Sequence, residues 1–183
     1  LAMLGKFISH ETYQNMVAEA DKKQSKLLSL EQPSFLHNYN KKACMFEHKL
    51  AAHPYFSLDS LIALCERMPE TNVKYRYGEV PCDAEFDNSL TNCQGDLTLK
   101  SALNQLTKKR TYVAIYNPEL DPEYCLLIEE ILGEIANNTR TVDPYITWYS
   151  TYIFISSLGS VTPYHMDREM NFLMQIRGRK TAK

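Results

Sequence analysis

The residues with the most chemical content lie in one short stretch, Ser160-Val161-Thr162-Pro163-Tyr164-His165-Met166-Asp167. In an extended chain, residues two apart project to the same side. His165 and Asp167 therefore converge on one point, while Tyr164, Met166 and Arg168 face away. One imidazole and one carboxylate can together hold a single cation. That pair is two-thirds of the 2-His-1-carboxylate facial triad, which occupies one face of octahedral Fe(II) and leaves its other positions open. Taken alone, His-x-Asp is a common spacing, and two such residues at a strand end can simply satisfy each other or a turn.

The elements that must position this stretch follow from periodicity. Residues 11–27 set Tyr13, Met16, Val17 and Ala20 among helix formers, which predicts an exposed amphipathic helix. Gln32-Pro33-Ser34-Phe35-Leu36 reads as an extended lead-in, because the residue before proline is pushed out of the helical region. Ser57 is placed to cap a helix with Leu58, Leu61, Ile62, Cys65 and Met68 on one face, stopped by Pro69. Val73, Tyr75 and Tyr77 alternate with polar residues as a half-buried strand closed by Gly78 and Pro81. The polar run 83–96 reads as a long loop, better taken as a surface insertion than as a lid. A short helix through Ala102, Leu103 and Leu106 leads to a strand over Tyr112–Tyr116.

Asp121-Pro122-Glu123 is a helix start, with proline at the first helical position and negative charge in the first turn. Leu127, Ile128, Ile131, Leu132 and Ile135 supply its buried face. After a polar loop, 137–144, two runs rich in β-branched and aromatic residues, Tyr145–Ser156 and Met170–Ile176, predict late strands. Helices early and strands late give an α+β class. The mainly helical region covers 1–70, and a sheet or barrel covers 71–183 as one continuous structural unit.

The bulk properties narrow the function classes. A formal net charge of −2 over 183 residues offers no global basic field for a phosphate backbone. The short runs at Lys108-Lys109-Arg110 and Arg177 to Lys183 read as solvated faces, so nucleic acid is disfavoured as a partner. Five cysteines, never in a Cys-x-x-Cys pair, argue against a disulfide framework or zinc knuckle and for a reducing, cytoplasmic compartment. The first residues lack a signal-type apolar core, and no run approaches a membrane span. His10, His37, His48 and His53 all precede the motif and read as structural or exposed.

The neighbours of His165 and Asp167 carry a resemblance. Gly159 to Asp167, then Asn171-Phe172 and Gln175-Ile176-Arg177-Gly178-Arg179-Lys180, resemble the JmjC/cupin-like Fe(II)/2-oxoglutarate oxygenases. The nearest branches are the bacterial cupin-like JmjC proteins and the one containing the asparaginyl hydroxylase that inhibits hypoxia-inducible factor. The resemblance covers about the last quarter of the chain, and the segments HPYFSLDSL and VKYRYGEVP also look like the bacterial branch.

It implies helices followed by part of a double-stranded β-helix, the cupin or jelly-roll barrel. It assigns His165 and Asp167 to Fe(II), and Thr162 and Lys180 to the distal carboxylate of 2-oxoglutarate. Asn171 would contact the cosubstrate or the metal-side carboxylate, and Tyr112, or Tyr116 in its place, would offer a phenol to the distal carboxylate. Each has an ordinary alternative: a hairpin lysine, a turn hydroxyl before Pro163, a strand-end amide, strand aromatics. The implied activity is hydroxylation of a protein or peptide side chain, with 2-oxoglutarate decarboxylated to succinate; demethylation and RNA modification are less supported. A homodimer is compatible with this class. The family takes its second iron-binding histidine from a later strand, and no histidine follows His165. The expectation is a complete protein extending past Lys183. The rival reading is a non-enzymatic cupin-like binding or regulatory protein without a working iron centre.

Overall fold

The computed structural model describes residues 5–30, 33–77, 84, 111–167 and 169–181. In chain order the elements are β1 (Lys6–Phe7), α1 (His10–Lys22), β2 (Leu28–Ser29), α2 (Pro33–Asn38), β3 (Glu47–His48), α3 (Leu58–Arg67), β4 (Val73–Tyr77), β5 (Thr111–Tyr116), α4 (Pro122–Thr139), β6 (Trp148–Tyr149) and β7 (Tyr152–Ser156). Helices and small antiparallel sheets together make an α+β chain. No described helix is long and apolar enough to cross a membrane. The chain divides into two compact units, each assembled from separate stretches of sequence. Among described residues the first draws on 62–77, 84, 111–121 and 150–167, and the second on 5–30, 33–61, 122–149 and 169–181.

The first unit is organised by an antiparallel sheet in the order β4-β5-β7. Val113 and Ile115 lie on one face of β5, and Tyr112, Ala114 and Tyr116 on the other. Thr111 to Ile115 are all buried, so this central strand is covered on both faces. Register sets Arg76 opposite Tyr112 and Tyr112 opposite Ser156. An aromatic row follows on that face, with Tyr112 5.7 Å from Phe154 and Tyr116 edge-on to Tyr152 at 5.2 Å. Beyond β5, Asn117 takes a left-handed conformation (φ 53°) that starts a tight turn. The turn carries a buried polar knot: Asn117 Nδ2 donates to Glu119 Oε1 at 3.1 Å, and the Thr151 hydroxyl donates to the same carboxylate. Arg67 Nε donates to the buried Asp121 carboxylate at 2.7 Å.

In the second unit α1 packs on α4, and Leu127, Ile131 and Ile135 of α4 join Leu28, Leu30, Phe35 and Leu50 in a buried core. Closest approach falls at Gly133, where a Cβ would lie 2.6 Å from the Met16 carbonyl oxygen. Gly133→Ala would gain about 1 kcal/mol of helix propensity. The overlap with backbone outweighs that gain, so a net loss of about 1–2 kcal/mol is expected in urea denaturation. The Glu134 carboxylate, 1% exposed, accepts the backbone N–H groups of Leu27 and Leu28 and ties α4 to β2.

Four expectations need correction. The first helix stops at Lys22 rather than Leu27, and the chain turns extended at Lys23. Pro33 opens α2 instead of an extended lead-in, because a proline at the first helical position lacks only an N–H that would be unpaired anyway. The run 145–156 is not one strand but two, β6 pairing with β1 and β7 with β5, parted at Ser150-Thr151. Over 170–176, Phe172, Met174 and Ile176 pack on the second unit's core while Asn171, Leu173 and Gln175 stay exposed. The period of two is present, but among described residues the run joins no sheet, because alternation reports one-sided burial and not a ladder partner. The loop 83–96 (Ala84 apart) and the helix through Ala102, Leu103 and Leu106 lie outside the described residues.

Candidate metal centre

The segment carrying His165 and Asp167 is delivered by β7 and its return. Thr111 and Ser157 exchange backbone and side-chain bonds, with Ser157 N donating to Thr111 O at 2.9 Å and Thr111 N to Ser157 Oγ at 2.8 Å. Gly159, at φ 77°, then reverses the chain, a conformation that favours glycine. Arg76 Nη2 catches the returning segment by donating to the Val161 carbonyl at 2.9 Å, and Pro163 is fully buried. The six residues that follow Val161, through Asp167, are therefore anchored at their start, while His165 and Asp167 are exposed.

His165 Nδ1 lies 2.8 Å from the Pro163 carbonyl oxygen. A carbonyl can only accept, so Nδ1 carries the proton and donates, and in the neutral ring Nε2 bears the lone pair. That is the orientation in which metal-ligating histidines are usually held, with the second nitrogen donating to a carbonyl or carboxylate. Nε2 points to Asp167 Oδ2 at 3.9 Å. Two cis ligands at about 2.1 Å from an octahedral ion sit about 3.0 Å apart, so binding requires a closure of about 1 Å. The side chains are 36% and 46% exposed, which leaves them room to make it. An imidazole nitrogen and a carboxylate oxygen suit Fe(II), Mn(II) or Zn(II). Tyr164 and Met166, alternating with the pair, are 73% and 81% exposed. Among the described residues no group of three or more His, Cys, Asp or Glu side chains is arranged to hold a metal.

Thr162 and Tyr112 are brought together. The Thr162 side chain is a hydrogen-bonding neighbour of the Tyr112 phenol. Tyr112 is 5% exposed, and its oxygen makes no hydrogen bond of full geometry among the described residues. Burial pushes the phenol's pKa up, while the Thr162 hydroxyl and the Arg76 charge pull the other way. Tyr116 shares the face but lies four residues along β5, about 13 Å away, and its ring packs on Tyr152. Asn171 and Lys180 belong to the second unit. Asn171 is exposed beside the inward Phe172, and Lys180 is exposed too, with desolvation of its ammonium lowering its pKa from the usual lysine value.

Arg76 escaped the sequence reading, where it counted only as a polar partner in an alternating strand. It is 3% exposed, with its guanidinium 4.9 Å above the Tyr112 ring. The signal was an arginine flanked by two tyrosines. On an open sheet face that pattern reads as solvated, whereas here the guanidinium meets the Tyr112 ring and the Val161 carbonyl.

Compared with known proteins, the chain matches no family model, no curated protein and no solved structure. The class that fold and site define is an α+β chain in which a histidine and a carboxylate two residues apart face one point.

Proposed function

We propose that this chain carries the metal and cosubstrate residues of an Fe(II)- and 2-oxoglutarate-dependent oxygenase of the JmjC/cupin type. In this reading it is a hydroxylase of protein side chains whose β4-β5-β7 sheet forms part of a double-stranded β-helix. The observation that carries the proposal is the ring orientation of His165: Nδ1–H on the Pro163 carbonyl, Nε2 turned to Asp167 at 3.9 Å. His165 and Asp167 would hold the ion, the imidazole giving a lone pair and the carboxylate its charge. Fe(II), when bound, supplies the oxygen activation that is coupled to decarboxylation of 2-oxoglutarate. The Thr162 and Tyr112 hydroxyls would donate to the distal carboxylate, for which their adjacency is the support. Lys180 and Asn171 are assigned to the cosubstrate on motif spacing alone, and the protein substrate on the resemblance alone.

A second reading, a cupin-like binding protein without a working iron centre, is favoured by the absence of a three-ligand cluster among the described residues. Calorimetric titration with Mn(II) or Fe(II), with and without 2-oxoglutarate, separates the two. Wild type is expected to bind metal, and 2-oxoglutarate is expected to tighten that binding, whereas His165→Ala loses both effects. Equal binding by wild type and His165→Ala would sink the metal assignment.

A further inference from the structure

We propose that Arg76 is a positioning residue that builds a carboxylate-binding corner from the Tyr112 and Thr162 hydroxyls. The inference rests on reading those two hydroxyls as cosubstrate donors, and it adds the group that sets them. Burying a guanidinium carries a desolvation penalty that its contacts must offset, and an apolar residue on the same sheet face would carry none. Arg76 is nonetheless 3% exposed.

Its contacts bracket the corner. The guanidinium carbon lies 4.9 Å from the Tyr112 ring centroid, over its face, and Nη2 holds the carbonyl of Val161, the residue before Thr162. One side chain thereby fixes the ring that carries one hydroxyl and the backbone that carries the other. Arginine suits this task because its planar fork stacks and donates at the same time, which an ammonium cannot do. The Tyr112 oxygen, buried and without a hydrogen bond of full geometry among the described residues, has capacity for an acceptor. Burial also holds the phenol in its protonated, donating form. Two O–H donors beside a fixed positive charge select a small carboxylate.

The test uses glutarate, a plain dicarboxylate that cannot chelate through a 2-oxo group, in metal-free buffer at fixed ionic strength, followed by NMR titration of the full chain. Wild type is expected to bind. Arg76→Gln should weaken binding by about tenfold or more, and Arg76→Lys, which keeps charge but loses the stacking fork, by about threefold or more. Backbone amide shifts of β4, β5 and β7 outside the Arg76 neighbourhood should stay as in wild type in both variants, a separation that a general loss of structure would not produce. Glutarate binding by Arg76→Gln within about twofold of wild type, or none by wild type, would overturn the inference. If Arg76→Gln fails to fold, Arg76→Lys decides, and wild-type affinity in that variant would overturn it. Loss of metal binding in wild type with the glutarate pattern intact would remove the oxygenase reading and leave the corner standing.

Discussion

Glu134→Ala is expected to destabilise the second unit by about 3–4 kcal/mol, the largest stability effect at any single side chain described above. Its carboxylate is 1% exposed and receives Leu27 N at 2.8 Å and 3.1 Å and Leu28 N at 2.8 Å. Alanine removes the acceptor for two neighbouring backbone donors and leaves a cavity. An unpaired buried N–H costs about 1–3 kcal/mol, and the lost packing adds to it. Glutamine keeps an accepting oxygen but turns an NH2 toward a donor, so Glu134→Gln should cost about half as much. Urea denaturation followed by circular dichroism measures both. An alanine variant within about 1 kcal/mol of wild type would show that the clamp contributes little.

Asp167→Asn should have the opposite profile, with little change in stability and a large change in metal binding. The Asp167 side chain is 46% exposed, and substitutions at such surface positions usually stay within about 0.5 kcal/mol. For the metal, asparagine keeps the shape and one oxygen but removes the negative charge that would face a bound dication. With a proposed charged ligand replaced by a neutral amide, Mn(II) affinity should fall by more than about a hundredfold. Calorimetry on the variant, beside its melting curve, separates the two quantities. A variant that binds Mn(II) as tightly as wild type would remove Asp167 from the centre.

The parts of this account legible in the sequence are those governed by local rules. β4, β5, α3 and α4 followed from alternation, a serine cap and a proline start, and the pairing of His165 with Asp167 followed from the period of an extended chain. What stayed hidden depends on tertiary neighbours. Pro33 breaks an incoming helix but opens an outgoing one, and the residue before it does not say which. Phe172, Met174 and Ile176 alternate as a strand does, yet their pattern records a core on one side and nothing about hydrogen bonds. Glu134 and Arg76 look solvated in sequence, since charged residues are rarely buried unless paired. Their backbone partners Leu28 and Val161 lie 106 and 85 positions away along the chain. The Pro163 carbonyl that fixes the His165 tautomer is two residues distant, but only coordinates reveal that bond.

The central claim, that His165 and Asp167 hold a divalent cation through Nε2 and a carboxylate oxygen, is tested most directly by paramagnetic NMR. Substoichiometric Mn(II) added to isotope-labelled protein broadens nuclei near the bound ion first. His165 and Asp167 are expected to broaden before all other residues, the His165 Nδ1 proton to persist in a diamagnetic Zn(II) control, and His165→Ala to abolish the effect. Broadening centred elsewhere, or unchanged in His165→Ala, would contradict it.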